Sequence, residues 1–170
     1  MVPITFLAQQ TAGGCGACSL IMVARYFDPQ LTLTEDEVLE EFGVDGFGPR
    51  CLALAPSFDK AGLALGLSVR IASLTRKDLR NQLVDGPVII FHKASEASDA
   101  LPHFSVALAA TETHIVRHDP GAGPGVVQSW DQFEPLWSAA KVNWWPYVGC
   151  YTVVLRPHLM PGLDLRRSAP

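Results

Sequence analysis

The first third of the chain carries apolar patterns that are typical of helices. Three helices are predicted, over residues 15–27, 35–42 and about 57–65. The first is apolar on nearly every side until Arg25, which is typical of a helix in the middle of a fold. The second begins with a capping-box pair, Thr34 and Glu37, and the third is bounded by Pro56 and Gly66.

After residue 67 the pattern changes to short apolar runs that are typical of strands. Five strands are predicted, over residues 68–71, 87–91, 103–108, 113–117 and 148–155. A short helix capped by Thr75 and Asp78 separates the first two strands, and residues 111–112 predict a tight hairpin turn between the third and the fourth. A further helix is predicted from a cap at Asp131 through Trp137.

Helices first and a mostly antiparallel sheet second predict an α+β fold with a cleft between the two parts. We expect a single domain over residues 1–156, with a helical lobe over about residues 1–66 and a sheet lobe over about residues 67–156. Residues 157–170 are predicted to be a frayed tail. The pocket walls are expected to come from loops 44–50 and 93–102 and from Trp144-Trp145.

The composition excludes a disordered chain. Of the 170 residues, 48% are hydrophobic and 18% charged, so enough apolar surface is available to offset the entropy of ordering. Thirteen Lys and Arg against seventeen Asp and Glu give a net charge of -4, and no basic field attracts a phosphate backbone. No nucleic-acid partner is expected.

The first 24 residues carry no charged side chain. A secretory signal begins with basic residues, and a membrane-spanning helix needs about 20 apolar residues, whereas glutamines and glycines interrupt this segment at residues 9–14. We therefore expect a buried segment in a soluble, cytoplasmic protein with no membrane segment. Export as an effector without a classical signal peptide is left open.

Cys15 stands where the turn Gly13-Gly14 meets the first predicted helix. The free N–H groups and partial positive charge of a helix N-terminus favour a thiolate, which is the nucleophilic form of cysteine. A side-chain amide at Gln9 or Gln10 is available to bind a developing oxyanion. The alternative is that Cys15 and Cys18 are small buried hydrophobic residues, and for Cys18 this is the favoured interpretation. Four cysteines in a chain of this length indicate reduced thiols rather than a disulfide framework.

A cysteine nucleophile needs a base, and His103 is the best placed of the five histidines because it begins an apolar strand after a polar loop. In a hairpin of the third and fourth strands, residue numbers that sum to about 222 lie opposite, which places residue 118 or 119 beside His103. Asp119 then orients the imidazole, while His118 points to the opposite face. Residues 119–121 also fit an ordinary turn, and His92 is either a satisfied boundary residue or a substrate contact.

Seven short motifs follow one another along roughly residues 4–155. They are Gln9-Gln10-Thr-Ala-Gly-Gly-Cys15-Gly-Ala-Cys, Gly66-Leu-Ser-Val, Asp78-Leu, Gly86-Pro-Val-Ile-Ile, His103-Phe-Ser-Val, His118-Asp119-Pro-Gly-Ala-Gly and Ser129-Trp-Asp-Gln-Phe-Glu-Pro-Leu-Trp137. In their order and approximate spacing they resemble the C39 peptidase and C39-like group of papain-fold cysteine peptidases. The resemblance covers nearly the whole chain.

The resemblance implies a papain-like fold and hydrolysis of peptide bonds by a cysteine peptidase. Carried over by position, it makes Cys15 the nucleophile, His103 the base and Asp119 the residue that orients His103. Gln9, six residues before Cys15, matches the oxyanion-hole glutamine, with Gln10 as the alternative if the alignment shifts by one residue. No cofactor and no metal are implied.

The partner that the resemblance implies is a peptide or protein substrate. Family members fused to transporters remove leader peptides after paired glycines, whereas this sequence shows no transmembrane segment and no P-loop. The expected activity is therefore peptide-bond hydrolysis, with leader-peptide or bacteriocin processing without its own transporter as one option. Cleavage specificity and oligomeric state are left open.

Three other functions compete with a peptidase. Cys15 and Cys18 form a CxxC at a helix start, which is also the pattern of a thiol–disulfide oxidoreductase. A structural zinc site is less well supported because a second CxxC or a close histidine pair is absent. An acyltransferase or transpeptidase shares the fold and the acyl-enzyme step, and it differs only in resolving the thioester with an amine. A catalytically silent binding module is disfavoured, since all four expected side chains are present.

Overall fold

The computed structural model describes residues 3–45, 50–52, 54–140 and 149–158. Within these residues the helices are α1 (Cys15–Phe27), α2 (Glu35–Phe42), α3 (Leu54–Ala64), α4 (Arg76–Gln82) and α5 (Trp130–Ala139). The strands are β1 (Leu67–Ser73), β2 (Val88–Lys93), β3 (Pro102–Ala110), β4 (His114–Asp119), β5 (Gly123–Ser129) and β6 (Tyr151–Pro157). The chain therefore has the helices-first α+β order that the sequence predicts.

The first two helices have the bounds that the sequence predicts. Every residue of α1 from Gly16 to Ala24 is buried, because its apolar side chains surround the helix axis. Helix α2 begins at a capping box in which Thr34 accepts from the Glu37 backbone N–H and Glu37 accepts from the Thr34 N–H. Helix α3 begins at Leu54, earlier than predicted, since Pro56 lies within the first turn, where a backbone N–H needs no intrahelical partner.

The strands form one antiparallel sheet in the order β1-β6-β2-β3-β4-β5. The sequence prediction misses β5, which is an edge strand of the described sheet. Its first residues include Gly123, Pro124 and Gly125, and both glycines have positive φ, so the segment lacks the apolar alternation that marks a strand. The final strand ends at Pro157 rather than at residue 155, and residue 148 lies outside the described residues.

The predicted cap of α5 is wrong by two residues. Ser129, not Asp131, is the N-cap: its side chain accepts from the Gln132 backbone N–H at 3.3 Å, and the Gln132 side chain accepts from the Ser129 N–H at 3.3 Å. The reciprocal bonds satisfy two N–H groups, whereas a cap at Asp131 leaves Trp130 outside the helix. The helix consequently begins at Trp130 and continues past Trp137 to Ala139.

Two apolar clusters cover the two faces of the sheet. Helices α1 to α3 pack on one face against alternate residues such as Ile89 and Phe91, and α4 and α5 pack on the other face against Val88 and Ile90. This alternation explains why β2 reads as a continuous apolar run in the sequence. None of the described helices has the length and apolar character needed to cross a bilayer.

Candidate active site

Two glycines allow close packing around the start of α1. A Cβ atom on Gly13 would collide with the Arg50 carbonyl oxygen, and a Cβ atom on Gly14 would collide with the Glu35 carboxylate. Gly14 is the N-cap of α1, so Cys15 is the first residue of the helix and half-buried. Its thiol therefore lies at the positive end of the helix dipole.

His103 lies near the start of β3 and is joined to Asp119 at the end of β4. The distance between His103 Nε2 and Asp119 Oδ1 is 2.7 Å. The same carboxylate oxygen accepts from the backbone N–H groups of Gly121 at 3.0 Å and Ala122 at 3.1 Å. The turn at residues 119–121 that the sequence indicates thus coexists with the contact to His103, because the Asp119 side chain serves both.

The predicted strand register is wrong, although the predicted neighbour is present. Next to the loop Ala110 pairs with Ile115, a sum of 225, and a β-bulge between Ala107 and Ala109 shifts the sum to 224, at which Val106 pairs with His118. Continuing this register places residue 121 opposite His103, and a Cβ atom on Gly121 would lie 3.4 Å from His103 Cε1. Asp119 therefore reaches His103 diagonally rather than from the directly opposite position.

The Cys15 thiol also lies close enough to His103 to raise the pKa of the imidazole. Since Nε2 faces Asp119, the other ring nitrogen, Nδ1, is the one left for the thiol. Burial disfavours the charged imidazole, but the interactions with Asp119 and Cys15 outweigh it and raise the pKa of His103 to about 9. The three side chains are thus neighbours, in an arrangement that supports an imidazolium next to the Cys15 sulfur.

Arg117 is the second partner of Asp119, and sequence reasoning misses it. Its guanidinium donates to Asp119 Oδ2 through Nη1 and to Gln128 Oε1 through Nη2 at 2.8 Å, and it lies 5.5 Å over the Phe133 ring. Burial raises the pKa of Asp119, but the bonds from His103 and Arg117 more than compensate and hold it well below its usual value. The one available signal is an arginine within the apolar strand.

His92 lies beside His103, but both of its ring nitrogens make hydrogen bonds within the protein. It pairs with His103 across β2 and β3, and the two rings meet edge to face at 5.4 Å. Its Nδ1 donates to the Lys93 carbonyl at 2.7 Å, which leaves Nε2 to accept from Ser105 Oγ at 2.9 Å. Burial, with Arg117 nearby, lowers the pKa of His92 to about 3. It is 1% exposed, so it is a satisfied interior residue rather than a substrate contact.

His92, His103 and Asp119 present ligand atoms that lie within 4.8 Å of one another and have the chemistry to hold a metal ion. Each group already has a hydrogen-bond partner, and the Arg117 cation occupies the second oxygen of the carboxylate. A divalent ion at this place would meet the positive charge of the guanidinium at close range. The arrangement fits a hydrogen-bonded triad better than a metal centre.

The two candidate glutamines have different surroundings. The Gln9 backbone N–H donates to the Pro120 carbonyl at 3.1 Å, which places Gln9 beside the loop that carries Asp119, and its Nε2 donates to the Thr11 carbonyl at 2.9 Å. The Gln10 side chain is exposed and bends back to the Ala8 carbonyl at 3.2 Å. A Cβ atom on Gly121 would lie 3.4 Å from His103 Cε1 and 3.5 Å from Gln9 Oε1, so Gln9 is the glutamine that lies beside His103.

His118 and Cys18, which lie within the same motifs, make structural hydrogen bonds. As predicted, His118 faces away from Asp119: its Nδ1 accepts from the Gly125 N–H at 3.0 Å, and its Nε2 donates to the Ile4 carbonyl at 3.1 Å. Cys18 is buried, and its thiol donates to Glu35 Oε2 at 3.2 Å. Burial and this bond raise the pKa of Cys18 above the usual range, so it stays a thiol.

A cavity of about 530 Å³ lies at the start of β3. Its lining comes from the predicted loop 93–102 and from the end of α5, namely Lys93, Ser98, Ala100, Pro102, Ser138, Ala139 and Ala140. The other predicted pocket walls, residues 46–49 of loop 44–50 and Trp144-Trp145, lie outside the described residues.

The Peptidase C39 family matches the chain over residues 4–146, so the chain belongs to this family. A double glycine motif protease from an AMS/PCAT transporter, solved with its leader peptide, is 20% identical with a TM-score of 0.67, covering 92% of this chain and 93% of its own. The peptidase domain of Streptococcus ComA is 16% identical with a TM-score of 0.68, covering 92% and 99%. A putative C39-like peptidase from Bacillus anthracis is 18% identical with a TM-score of 0.68, covering 91% and 94%. No curated protein matches.

The fold and the family together define a cysteine peptidase with a papain-like fold. More particularly, the chain is a member of the C39 group, as the motifs in its sequence indicate.

Proposed function

We propose that the protein hydrolyses peptide bonds through Cys15, His103 and Asp119, with the Gln9 amide and the Cys15 backbone N–H stabilising the oxyanion. The observation that carries the proposal is the grouping of the Cys15 thiol, at the N-terminus of α1, with His103, whose imidazole is hydrogen-bonded to Asp119. Helix dipole, imidazolium and buried carboxylate all favour the charge distribution of a thiolate–imidazolium pair.

The reaction begins with the Cys15 thiolate attacking the carbonyl carbon of the scissile bond. The carbonyl oxygen becomes an oxyanion and accepts hydrogen bonds from the Gln9 amide and the Cys15 N–H. The intermediate collapses as His103 gives its proton to the leaving amine, which departs and leaves a thioester on Cys15. His103 then takes a proton from water, and the hydroxide equivalent attacks the thioester. The acid product leaves, and the thiolate–imidazolium pair is restored.

Asp119 and Arg117 act on His103 rather than on the substrate. Asp119 accepts from Nε2 and so directs Nδ1 at the sulfur, and it stabilises the imidazolium by its negative charge. The two backbone N–H groups of the 119–122 turn and the Arg117 guanidinium hold the carboxylate itself. The base is therefore oriented by a carboxylate that has no freedom to rotate away.

The substrate class that we propose is a peptide with a leader-type segment. This proposal is supported by the double glycine motif protease with its leader peptide among the similar structures. The alternative dithiol chemistry is disfavoured, since the Cys18 thiol donates a hydrogen bond to Glu35 and the pKa of Cys18 is raised. An acyltransferase differs from a hydrolase only in the nucleophile that resolves the thioester, so product analysis separates the two.

The test measures the rate at which iodoacetamide labels the full-length chain, followed by a peptide-library cleavage profile. We expect rapid labelling at Cys15, slow labelling in His103→Ala and no cleavage in Cys15→Ala. His114→Ala is the matched control, because His114 is exposed and lies at the other end of the sheet hairpin. Cleavage by Cys15→Ala, or labelling of Cys15 that is independent of His103, contradicts the proposed mechanism. Transfer of the acyl group to an added amine instead of water identifies a transferase.

A further inference from the structure

A second buried carboxylate, that of Glu35, faces the segment that leads to the nucleophile. Glu35 is the first residue of α2 and is 6% exposed, whereas its neighbours Asp36 and Glu37 are exposed. In the sequence Glu35 looks like an ordinary acidic residue of a helix start. In the structure its side chain turns inward against Gly14, at the start of α1.

Four hydrogen bonds end on the Glu35 carboxylate. Oε1 accepts from the Thr11 backbone N–H at 3.0 Å and from Thr11 Oγ1 at 2.6 Å. Oε2 accepts from the Gln10 backbone N–H at 2.6 Å and from Cys18 Sγ at 3.2 Å. Burial opposes ionisation, but the bonds from Thr11 and Gln10 outweigh it and lower the pKa of Glu35. Three of the four donors belong to residues 10–11, so this loop is held by a single carboxylate.

Thr11 connects this carboxylate to the candidate oxyanion amide. Its backbone N–H and hydroxyl bind Glu35, and its carbonyl accepts from Gln9 Nε2 at 2.9 Å. An amide nitrogen carries two hydrogens, so the bond to Thr11 uses one of them and sets the direction of the other. The Gln9 backbone is held from the opposite side by the Pro120 carbonyl.

We propose that Glu35 and Thr11 are positioning residues for the oxyanion hole: Glu35 orients Thr11, and the Thr11 carbonyl orients the Gln9 amide. This inference rests on the proposed function, in which Gln9 stabilises an oxyanion. Glu35 is buried and acts through Thr11. Their effect is confined to steps that form a tetrahedral intermediate, since only those steps use the Gln9 amide.

Two reagents that react with the same sulfur separate this role from a general loss of structure. p-Nitrophenyl acetate acylates Cys15 through a tetrahedral oxyanion, with release of p-nitrophenolate. Iodoacetamide alkylates Cys15 by displacing iodide at a saturated carbon, and no oxyanion forms. The ratio of the two rates therefore reports the oxyanion hole, while the alkylation rate alone reports the thiolate and His103.

The main variant is Glu35→Gln in the full-length chain. Whichever way the new amide is turned, its NH₂ group meets a backbone N–H, that of Gln10 or that of Thr11, so one bond is replaced by a clash of donors. We expect the acylation rate to fall about 10-fold or more, since loss of one oxyanion donor costs about 100-fold or more, while the alkylation rate stays within about 2-fold. Glu37→Gln is the matched control, and Cys15→Ala gives the background.

A milder variant keeps the test decisive if Glu35→Gln fails to fold, as circular dichroism would show. Thr11→Val removes only the hydroxyl that binds Oε1, and Thr11→Ser keeps it. We expect a lower acylation-to-alkylation ratio in Thr11→Val and a normal ratio in Thr11→Ser. Equal falls in both rates, or an unchanged ratio in every folded variant, overturn the inference.

The ester measurement does not depend on finding the natural peptide. A wild-type protein that is acylated at Cys15 but cleaves no peptide in the library contradicts the proposed function, and the Glu35 variants still decide the positioning role. A wild-type protein that is alkylated but not acylated overturns the oxyanion role of Gln9 and, with it, the role of Glu35.

Discussion

Asp119 and Glu35 are two buried carboxylates with opposite surroundings. Asp119 is bound by two groups that carry positive charge, Arg117 and His103, in addition to backbone N–H groups. Glu35 is bound only by neutral donors among the described residues: two backbone N–H groups, a hydroxyl and a thiol. The pKa of both carboxyls is lowered in spite of burial.

The difference between them separates two tasks. A carboxylate with charged partners controls protonation, because its field acts on a group that titrates. A carboxylate with neutral partners controls geometry, because directional hydrogen bonds fix the groups that donate them. In the proposed mechanism one carboxylate thus governs the charge of His103, and the other governs the shape of the loop before Cys15.

The largest effect is expected from Asp119→Ala. It leaves the His103 imidazole without its acceptor and the Arg117 guanidinium without its partner, so we expect kcat/KM to fall about 1,000-fold with slow residual turnover. Asp119→Asn keeps an oxygen that can accept from Nε2 and should retain more activity than Asp119→Ala. Equal losses in both variants would show that the charge of Asp119 matters more than its orientation of the ring.

Arg117→Met tests the charged partner by itself. It leaves the Asp119 carboxylate buried with one cation fewer, and we expect the free energy of unfolding to fall by about 3 kcal/mol, as is typical of breaking a buried ion pair. Urea denaturation measures the change. Arg117→Lys keeps the charge but not the forked geometry, so an intermediate loss is expected. An unchanged unfolding free energy in Arg117→Met would show that the pair contributes nothing net to stability.

The comparison also predicts an asymmetric pH dependence of stability. The folded pKa of His103, about 9, lies above its ordinary value of 6.5, so its contribution is complete below pH 6.5 and is lost as the pH rises toward 9. The pKa of Asp119 is lowered, so its contribution is present above its ordinary value of 3.8 and is lost as the pH falls below it.

Urea denaturation at a series of pH values measures both losses of stability, the one at alkaline pH (the alkaline limb) and the one at acid pH. His103→Gln should flatten the alkaline limb, while Glu37→Gln, at an exposed residue of the α2 cap, should leave it in place. If the loss of stability at alkaline pH persists in His103→Gln, a titratable group other than His103 causes it.

The sequence predicts the parts of the site that lie where the apolar pattern changes. Cys15 follows a glycine turn at a helix start, His103 lies near a strand start, and Asp119 ends a strand. Each of these positions can therefore be recognised from the sequence alone. Glu35 does not, because its partner Thr11 lies 24 positions away. Arg117 does not either, although Asp119 is only two positions away, because a strand places residues i and i+2 on one face whether or not they bind each other. Side chains that act through distant partners carry no local pattern.

The same reasoning explains the errors in the fold. The hairpin register depends on the length of the loop and on a β-bulge between Ala107 and Ala109. Thr111 closes the loop by accepting from the N–H groups of Thr113 and His114. Strand β5 pairs through backbone groups despite Gly123, Pro124 and Gly125, which a pattern of side chains cannot reveal. The family resemblance is confirmed, since it depends on the order of motifs rather than on these details.

The smallest effect is expected from Gly14→Ala, which acts on the Glu35 carboxylate through space alone. The φ angle of Gly14 is -77°, so alanine fits the backbone, but its Cβ atom would collide with the Glu35 carboxylate. We expect the free energy of unfolding to fall by about 1–3 kcal/mol and the ratio of Cys15 acylation to alkylation to fall with it.

Adding Glu35→Asp to Gly14→Ala shortens the acidic side chain by one methylene and makes room for the methyl group. Because the two residues are in contact, the double variant should lose less stability than the sum of the single changes. Additive losses would mean that the carboxylate moves aside freely, and a carboxylate that moves freely does not fix the loop before the nucleophile.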